Sequence, residues 1–408
     1  AWAVAKSNEA IDASTIRNIL TLRYDPTQKT SLPILTWRDF NSVNNTSLDV
    51  IEKIMEDYVR TKIEHFRIKK VVLALSSGID STLVLTLLKR KFPDVKIHAI
   101  SIKFANSVDE SEKASKISEF FGIDHEIVFL ENFLAELPKM IDMVKLPFWD
   151  LHWYYVAKEA KTQSEFLAAG DGGDELFGGY TFRYAKFLSL ITKNSSPRDK
   201  IKAYLACHER DTVPDHEQIF GPKCLFSWES IHNYLMPHFD NSLDPIEQVF
   251  LADYNGKLLY NFSLVNGRIN DSFAIKSLTP ILSDRLIPYA LSLNARQKYD
   301  VDKNIGKIPL RNLLTKFGTD KLVTDKKQGF SVDTTNLWKS HGRTICNNFL
   351  ADSRAAKAGL INQEWLTKYL VKNDLDVRYV NKFLGLLALE IWYRLFISKE
   401  MKSNEILS

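Results

Sequence analysis

Cysteine is scarce in this chain and carries no pattern. Cys207, Cys224 and Cys346 are the only three in 408 residues, an odd count without metal-ligand spacing. Neither a disulfide framework nor a zinc centre is therefore expected, and the three thiols read as buried or idle. Long apolar runs are missing too. The longest, residues 383–397, is interrupted by Glu390 and Arg394 and falls short of a membrane span. With no cleavable signal pattern at the N-terminus, a cytoplasmic protein with no membrane partner is predicted. Charge of one sign is also lacking, since a net +4 is too small to imply nucleic acid as a partner. No internal repeat or low-complexity tract occurs, which excludes a solenoid. A composition of 45% hydrophobic and 25% charged residues is that of an ordinary globular chain, and 408 residues exceed the usual limit of one core. Two cores, or one with a helical appendage, are expected.

Glycine is sparse, at 16 residues, yet five of them fall in Gly170-Asp171-Gly172-Gly173-Asp174-Glu175-Leu176-Phe177-Gly178-Gly179-Tyr180, beside three carboxylates. Glycine there lets backbone and carboxylate approach an ion or substrate closely. About ninety residues earlier, Ser76-Ser77-Gly78-Ile79-Asp80-Ser81 separates the apolar run 71–75 from a helical pattern starting at Thr82. It reads as a strand, a tight turn and a helix start. Unpaired backbone N–H groups and the positive end of the helix dipole, with the hydroxyls of Ser76, Ser77 and Ser81, suit the oxygens of a polyphosphate. The turn lacks the Gly-x4-Gly-Lys-Ser/Thr spacing and carries Asp80 where a phosphate-binding lysine would stand. A carboxylate facing phosphates calls for a bridging divalent cation. Magnesium fits, with Asp80 and Asp174 as its two carboxylates and Gly78, Gly170 and Gly172 letting the backbone come close. Asp80 alone also reads as a helix cap, and Asp171 as a turn aspartate bonded to its own backbone.

Apolar residues at helical spacing predict a helix over 48–66. Strands are predicted over 71–75, 96–102, 125–130 and 165–169, alternating with helical patterns, and the rest of the chain to the C-terminus reads as mostly helical. The alternation predicts an α/β fold with a doubly wound parallel sheet and ligands at the carboxyl ends of its strands. Further strands are expected over 19–24 and 35–37. The domain reading is an N-terminal segment over 1–48, a nucleotide-binding core over 49–190, a helical part over 200–398 completing the site, and a tail over 399–408.

These motifs resemble a known family. Residues 76–81 look like the Ser-Gly-Gly-x-Asp-Ser loop of the N-type ATP pyrophosphatases, with Ser77 in place of the first glycine. Residues 170–180 resemble the Ser-Gly-x-Gly-x-Asp-Glu-Leu-Phe-Gly-Gly-Tyr signature of the asparagine synthetase branch. The likeness continues in order through Asp109-Glu110 to His125, Pro147-Phe148-Trp149-Asp150, Gly306-Lys307 with Leu310-Arg311, Lys326-Lys327-Gln328-Gly329-Phe330 and the segment around Trp392, covering about residues 50–398. It implies an adenine nucleotide alpha hydrolase-like fold and an ATP-dependent, AMP-forming amide ligase. The expected substrates are ATP, a small-molecule or peptide carboxylate, and ammonia or an amine. Asp171 is implied as the base or its orienting carboxylate, and Lys327 and Lys307 as neutralisers of phosphate charge. Residues 22–26 look like the trailing edge of the family's glutaminase domain, whose cysteine nucleophile is absent here. A separate glutaminase or other ammonia-supplying partner is therefore expected, and a homo-oligomer is left open.

The pattern departs at residues 267–283. Arg268 and Pro280 are kept, but Lys276, Leu278 and Ser283 stand where the family has glutamate, arginine and aspartate. Loss of a bidentate arginine argues against aspartate as the substrate. An intramolecular cyclase of the β-lactam or lasso-peptide kind, or a non-catalytic nucleotide-binding paralogue, are the alternatives. His125 reads as a satisfied structural histidine.

Overall fold

The computed structural model describes residues 12–105, 110–324 and 333–408. Asp109 and the run from Lys326 to Phe330, with Lys327, lie outside the described residues. Five strands form one sheet: β1 (Lys70–Ala74), β2 (Lys96–Phe104), β3 (Asp124–Leu130), β4 (Phe166–Ala168) and β5 (Lys276–Leu278). Their order is β3-β2-β1-β4-β5, every pair parallel. The chain winds outward from β1 through β2 to β3, then returns to place β4 on the other side of β1. A ligand crevice is expected where the winding reverses, outside the carboxyl ends of β1 and β4.

Both faces of the sheet are covered, which is why its strands carry near-continuous apolar residues. Val71, Leu73 and Leu75 point to one face, packed with Leu83 and Leu87 of α3 (Ile79–Lys91) and Leu310 and Leu313 of the helix Ile308–Phe317. Val72 and Ala74 point to the other, packed with Val156 and Ala157 of the helix Trp153–Lys161 and Leu386 and Leu387 of the long helix Val377–Phe396. The sheet thus divides the interior in two. Among the described residues no helix is long and apolar enough to cross a membrane.

Three expectations about elements need correction. Residues 19–24 form no strand: 19–22 complete α1 (Ala13–Leu22), started by the Asp12 side chain accepting from the Thr15 N–H, and Arg23 ends it. Ile16, Ile19 and Leu20 at helical spacing are buried together against the long C-terminal helix's side of the sheet. Residues 35–37 likewise give way to a short 3₁₀ turn, Trp37–Asp39, where Asp39 accepts from the Thr36 N–H at 2.7 Å. The three-residue edge strand β5 was not anticipated, being too short for a period to show. The predicted helix over 48–66 is α2 (Leu48–Phe66), with Ser47 as its cap.

Candidate active site

The serine turn is folded on itself. The Ser81 hydroxyl donates to the Ser76 carbonyl at 3.1 Å, the Ser76 N–H donates back to Ser81 Oγ at 3.1 Å, and the Gly78 N–H donates to Ser76 Oγ at 3.1 Å. These bonds fix the turn so that α3 starts at once, with Asp80 in its first turn and Gly78 as a cap without a side chain. Ser77 Oγ is buried beneath the turn with no hydrogen-bond partner among the described residues.

The glycine loop lies directly against this turn. A Cβ on Gly170 would sit 2.6 Å from Asp80 Cβ, and one on Gly173 would sit 2.3 Å from Asp80 Oδ1. The spacing therefore needs glycine, since no neighbour but backbone or the functional carboxylate could yield. Gly172, at φ +94°, turns the chain into the short helix Gly173–Phe177, whose first turn carries Asp174. Lys307 Nζ lies 2.7 Å from Asp80 Oδ2 and 2.9 Å from Asp174 Oδ1, bridging the two loops. Burial disfavours its charge, but Asp174 and Asp80 outweigh that and raise its pKa above the usual lysine range. Its backbone is left-handed at φ 54°, and its N–H donates to the Phe177 carbonyl at 2.9 Å. Lys307 is thus anchored to the same loop it neutralises.

Asp171 lies in the cleft between Asp80 and the helix bearing Asn266 (Leu264–Ser272). Burial, then the nearby Asp80 charge, push its carboxyl up to about 6, against a smaller opposing hydrogen bond from Asn266. The Tyr180 hydroxyl donates to Glu175 Oε1 at 2.7 Å, and the Arg183 guanidinium stacks 4.0 Å from the Tyr180 ring centroid. Tyr180 positions the loop.

Ser76, Asp80, Ser81, Gly170, Asp171, Gly172 and Asp174 line one cleft of about 1300 Å³, its open mouth included. Its far wall was not read from the sequence. Arg23 pairs with Asp150 and, at 3.5 Å, with Asp211, which also takes Lys257 at 2.9 Å. Burial alone would raise Asp211, yet Lys257 and Arg23 hold it well below the usual carboxylate range. Arg23 ends α1 in the left-handed conformation at φ 63°, and Asn261 Nδ2 donates to its carbonyl at 2.7 Å. Lys257 and Asn261 sit on a π-helical stretch, Tyr254–Ser263, bent at Gly256, where a Cβ would meet the Tyr24 ring at 3.1 Å. Wide turns of this kind gather at functional sites. The signals available were Gly256 inside an apolar helical run and Asp150 inside the aromatic segment 147–150.

The altered segment 267–283 lies outside the cleft lining. Lys276 is exposed on β5 beside Glu165 at 3.7 Å, Leu278 is buried in the core, and Ser283 Oγ accepts from the Leu286 N–H at 3.1 Å. Arg268 Nη1 donates to the Val144 carbonyl at 2.6 Å. Those three exchanged side chains therefore line no part of the cleft. His125 bonds Ser101 Oγ at 2.7 Å and Ser115 Oγ at 3.2 Å, as expected of a structural histidine. The three cysteines are unpaired with one another, and Cys224 and Cys346 are buried.

A family model described as asparagine synthase matches residues 55–394. The chain belongs to the asparagine synthase family. Among curated relatives, asparagine synthetase [glutamine-hydrolyzing] 1 of Bacillus subtilis is 25% identical over 374 residues, 81% of this chain and 57% of that protein. The chain thus spans little more than half of this relative's length. A putative asparagine synthetase [glutamine-hydrolyzing] of Mycobacterium tuberculosis is 32% identical over 156 residues, 37% of this chain and 23% of that one. An NH(3)-dependent NAD(+) synthetase of Carboxydothermus hydrogenoformans is 25% identical over 173 residues, 35% of this chain and 70% of that one. The solved NH3-dependent NAD synthetase of Campylobacter jejuni aligns with a TM-score of 0.27 at 22% identity, covering 33% of this chain and 62% of that one.

Proposed function

We propose that this member of the family is an ATP-dependent, AMP-forming amide ligase that adenylates a carboxylate and passes ammonia or an amine to it. One observation carries the reading. Asp80 and Asp174, from the two loops flanking the switch point, converge on a single ammonium at 2.7 and 2.9 Å, with Asp171 in the same cleft. That donor set suits magnesium: two carboxylate groups, no sulfur or imidazole, beside a helix N-terminus and the orphaned Ser77 hydroxyl. Among the described residues no three His, Cys, Asp or Glu side chains converge as a metal group, so phosphate oxygens and water would complete the shell. Bound there, the ion would neutralise phosphate charge and orient the α-phosphorus.

The chain's own residues supply the rest. The N-terminus of α3 and the serine turn hold the departing pyrophosphate oxygens, and Gly78, Gly170 and Gly172 let backbone approach them. Lys307 and Lys327 offset the charge that develops as the α-phosphorus is attacked. Asp171, ionised at neutral pH yet basic enough to take a proton, accepts the proton that the attacking amine loses. The wall of Arg23, Asp150 and Lys257 holds the acceptor acid. Free ammonia, or ammonia from a separate glutaminase, is the proposed nitrogen source. Incubation of the protein with ATP, ammonium and a panel of carboxylic acids is expected to release AMP and pyrophosphate in step with amide. Release of ADP and phosphate instead overturns the reading.

A further inference from the structure

Lys307 stands where the proposed magnesium ligands meet, and the loops leave it little choice of place. A Cβ on Gly179 would lie 1.9 Å from Asp174 Oδ1 and 2.5 Å from Lys307 Cε, so the stem of this lysine runs through space that only glycine leaves open. A Cβ on Gly306 would lie 1.8 Å from the Gly178 carbonyl oxygen, so the backbone just before Lys307 is seated on the same loop. The helix Ile308–Phe317 begins immediately after it, with Pro309 in its first turn. The ammonium is therefore delivered to the two carboxylates by fixed backbone at both ends of the stem. Only 11% of the Lys307 side chain is exposed, against 17% and 18% for Asp80 and Asp174, so the pair is screened poorly by water.

A divalent cation bridging both carboxylates and an ammonium bridging the same two groups claim the same region of space and repel each other. We propose that Lys307 is a built-in counter-ion that competes with the divalent cation for Asp80 and Asp174, so the cation enters with the nucleotide rather than before it. The polyphosphate supplies what neither cation can share: added negative charge, towards which the ammonium swings when the metal takes the carboxylates. Removing Lys307 takes away the ammonium that bridges the two carboxylates, so a metal alone binds there more tightly. The inference rests on the proposed ATP and magnesium site and adds an order of binding to it.

Manganese serves as the probe, followed by electron paramagnetic resonance of the free ion, with and without α,β-methylene-ATP and with no acceptor acid present. The wild type is expected to bind manganese at least tenfold more tightly with the nucleotide than without it. Lys307→Met is expected to bind manganese alone at least tenfold more tightly than the wild type, and Asp174→Asn placed on top is expected to cancel that gain. Lys307→Gln provides the same test if the methionine variant does not give the wild-type circular dichroism spectrum. Unchanged or weaker nucleotide-free manganese binding in the folded Lys307 variant overturns the counter-ion role while leaving the ligase reading intact. No manganese binding by the wild type even with nucleotide overturns the metal site itself, and the counter-ion role with it.

Discussion

On the proposed nucleotide side of the cleft, two short loops, 76–81 and 170–180, supply the carboxylates and hydroxyls, and absent Cβ atoms set the distances. On the proposed acceptor side, Arg23, Asp150, Asp211 and Lys257 arrive from four separate stretches of chain and are held by shared ion pairs. The first half is defined by backbone and fails when volume is added. The second is defined by side-chain charge and fails when a partner is removed. A site that must place a polyphosphate of constant shape can afford the first design, while a wall that must match one acid among many is adjusted more easily by the second.

The largest expected effect comes from the carboxylates of the nucleotide half. Asp80→Asn or Asp174→Asn keeps size and shape, and AMP formation is expected to fall by about 10²- to 10³-fold with the fold intact. Activity within threefold of wild type in both variants would remove these residues from the chemistry. Next comes Gly179→Ala, which adds one carbon 1.9 Å from Asp174 Oδ1 and changes no charge. A displacement of that order is expected to lower the rate by about 10²-fold. By contrast Gly256→Ala, on the acceptor side, meets the Tyr24 ring at 3.1 Å, where a side chain can give way, and is expected to cost less than tenfold. Equal losses in the two glycine variants would dissolve the contrast between the halves.

Charge removal should reverse the order of sensitivity. Arg23→Ala leaves Asp150 and the buried Asp211 short of a partner, and is expected to raise the KM for the acceptor acid at least tenfold while leaving the KM for ATP within twofold. Stability should fall by about 1–3 kcal/mol, the usual cost of stripping a partner from a partly buried carboxylate. Comparable increases in both KM values would mean that the two halves are not separable. The same contrast has a pH form. Asp171 must be ionised to accept a proton, so kcat/KM should decline as pH falls through about 6, and Asp171→Asn should remove that limb along with most activity. Asp211, held below the usual carboxylate range by Lys257 and Arg23 despite its burial, stays ionised across that window, so its ion pairs with them should persist there. Its stabilising contribution is present above the unfolded-state pKa and is lost only as pH falls below the ordinary carboxylate range.

How much could be read from the chain follows the same divide. The loops 76–81 and 170–180 are runs of consecutive residues whose glycine, serine and carboxylate order is itself the geometry, and four of the five strands lie between them or just beside them with clear apolar runs. Lys307 was legible only through its Gly306 neighbour and the family likeness. Reading Ile19 to Tyr24 as a strand hides Arg23, although Asp12 and the spacing of Ile16, Ile19 and Leu20 mark a helix that Arg23 ends. Asp211 and Lys257 carry no local signal, since their meaning comes from a shared partner reached across the fold. β5 pairs only three residues at an edge of the sheet, too few for alternation to show.

The smallest effect is expected at Lys276, and it tests where the acceptor half ends. In the linear pattern this residue replaces a family glutamate and so suggested a changed substrate. In the fold it is an exposed β5 side chain, with its ammonium 4.9 Å from the Phe66 ring centroid and 3.7 Å from Glu165 Oε2, and it lines no part of the cleft. Surface ion pairs and cation–π contacts of this exposure contribute little. Lys276→Gln should therefore leave stability within about 0.5 kcal/mol and the acceptor KM within twofold. A shift in acceptor preference on this one change would extend the acceptor half to β5.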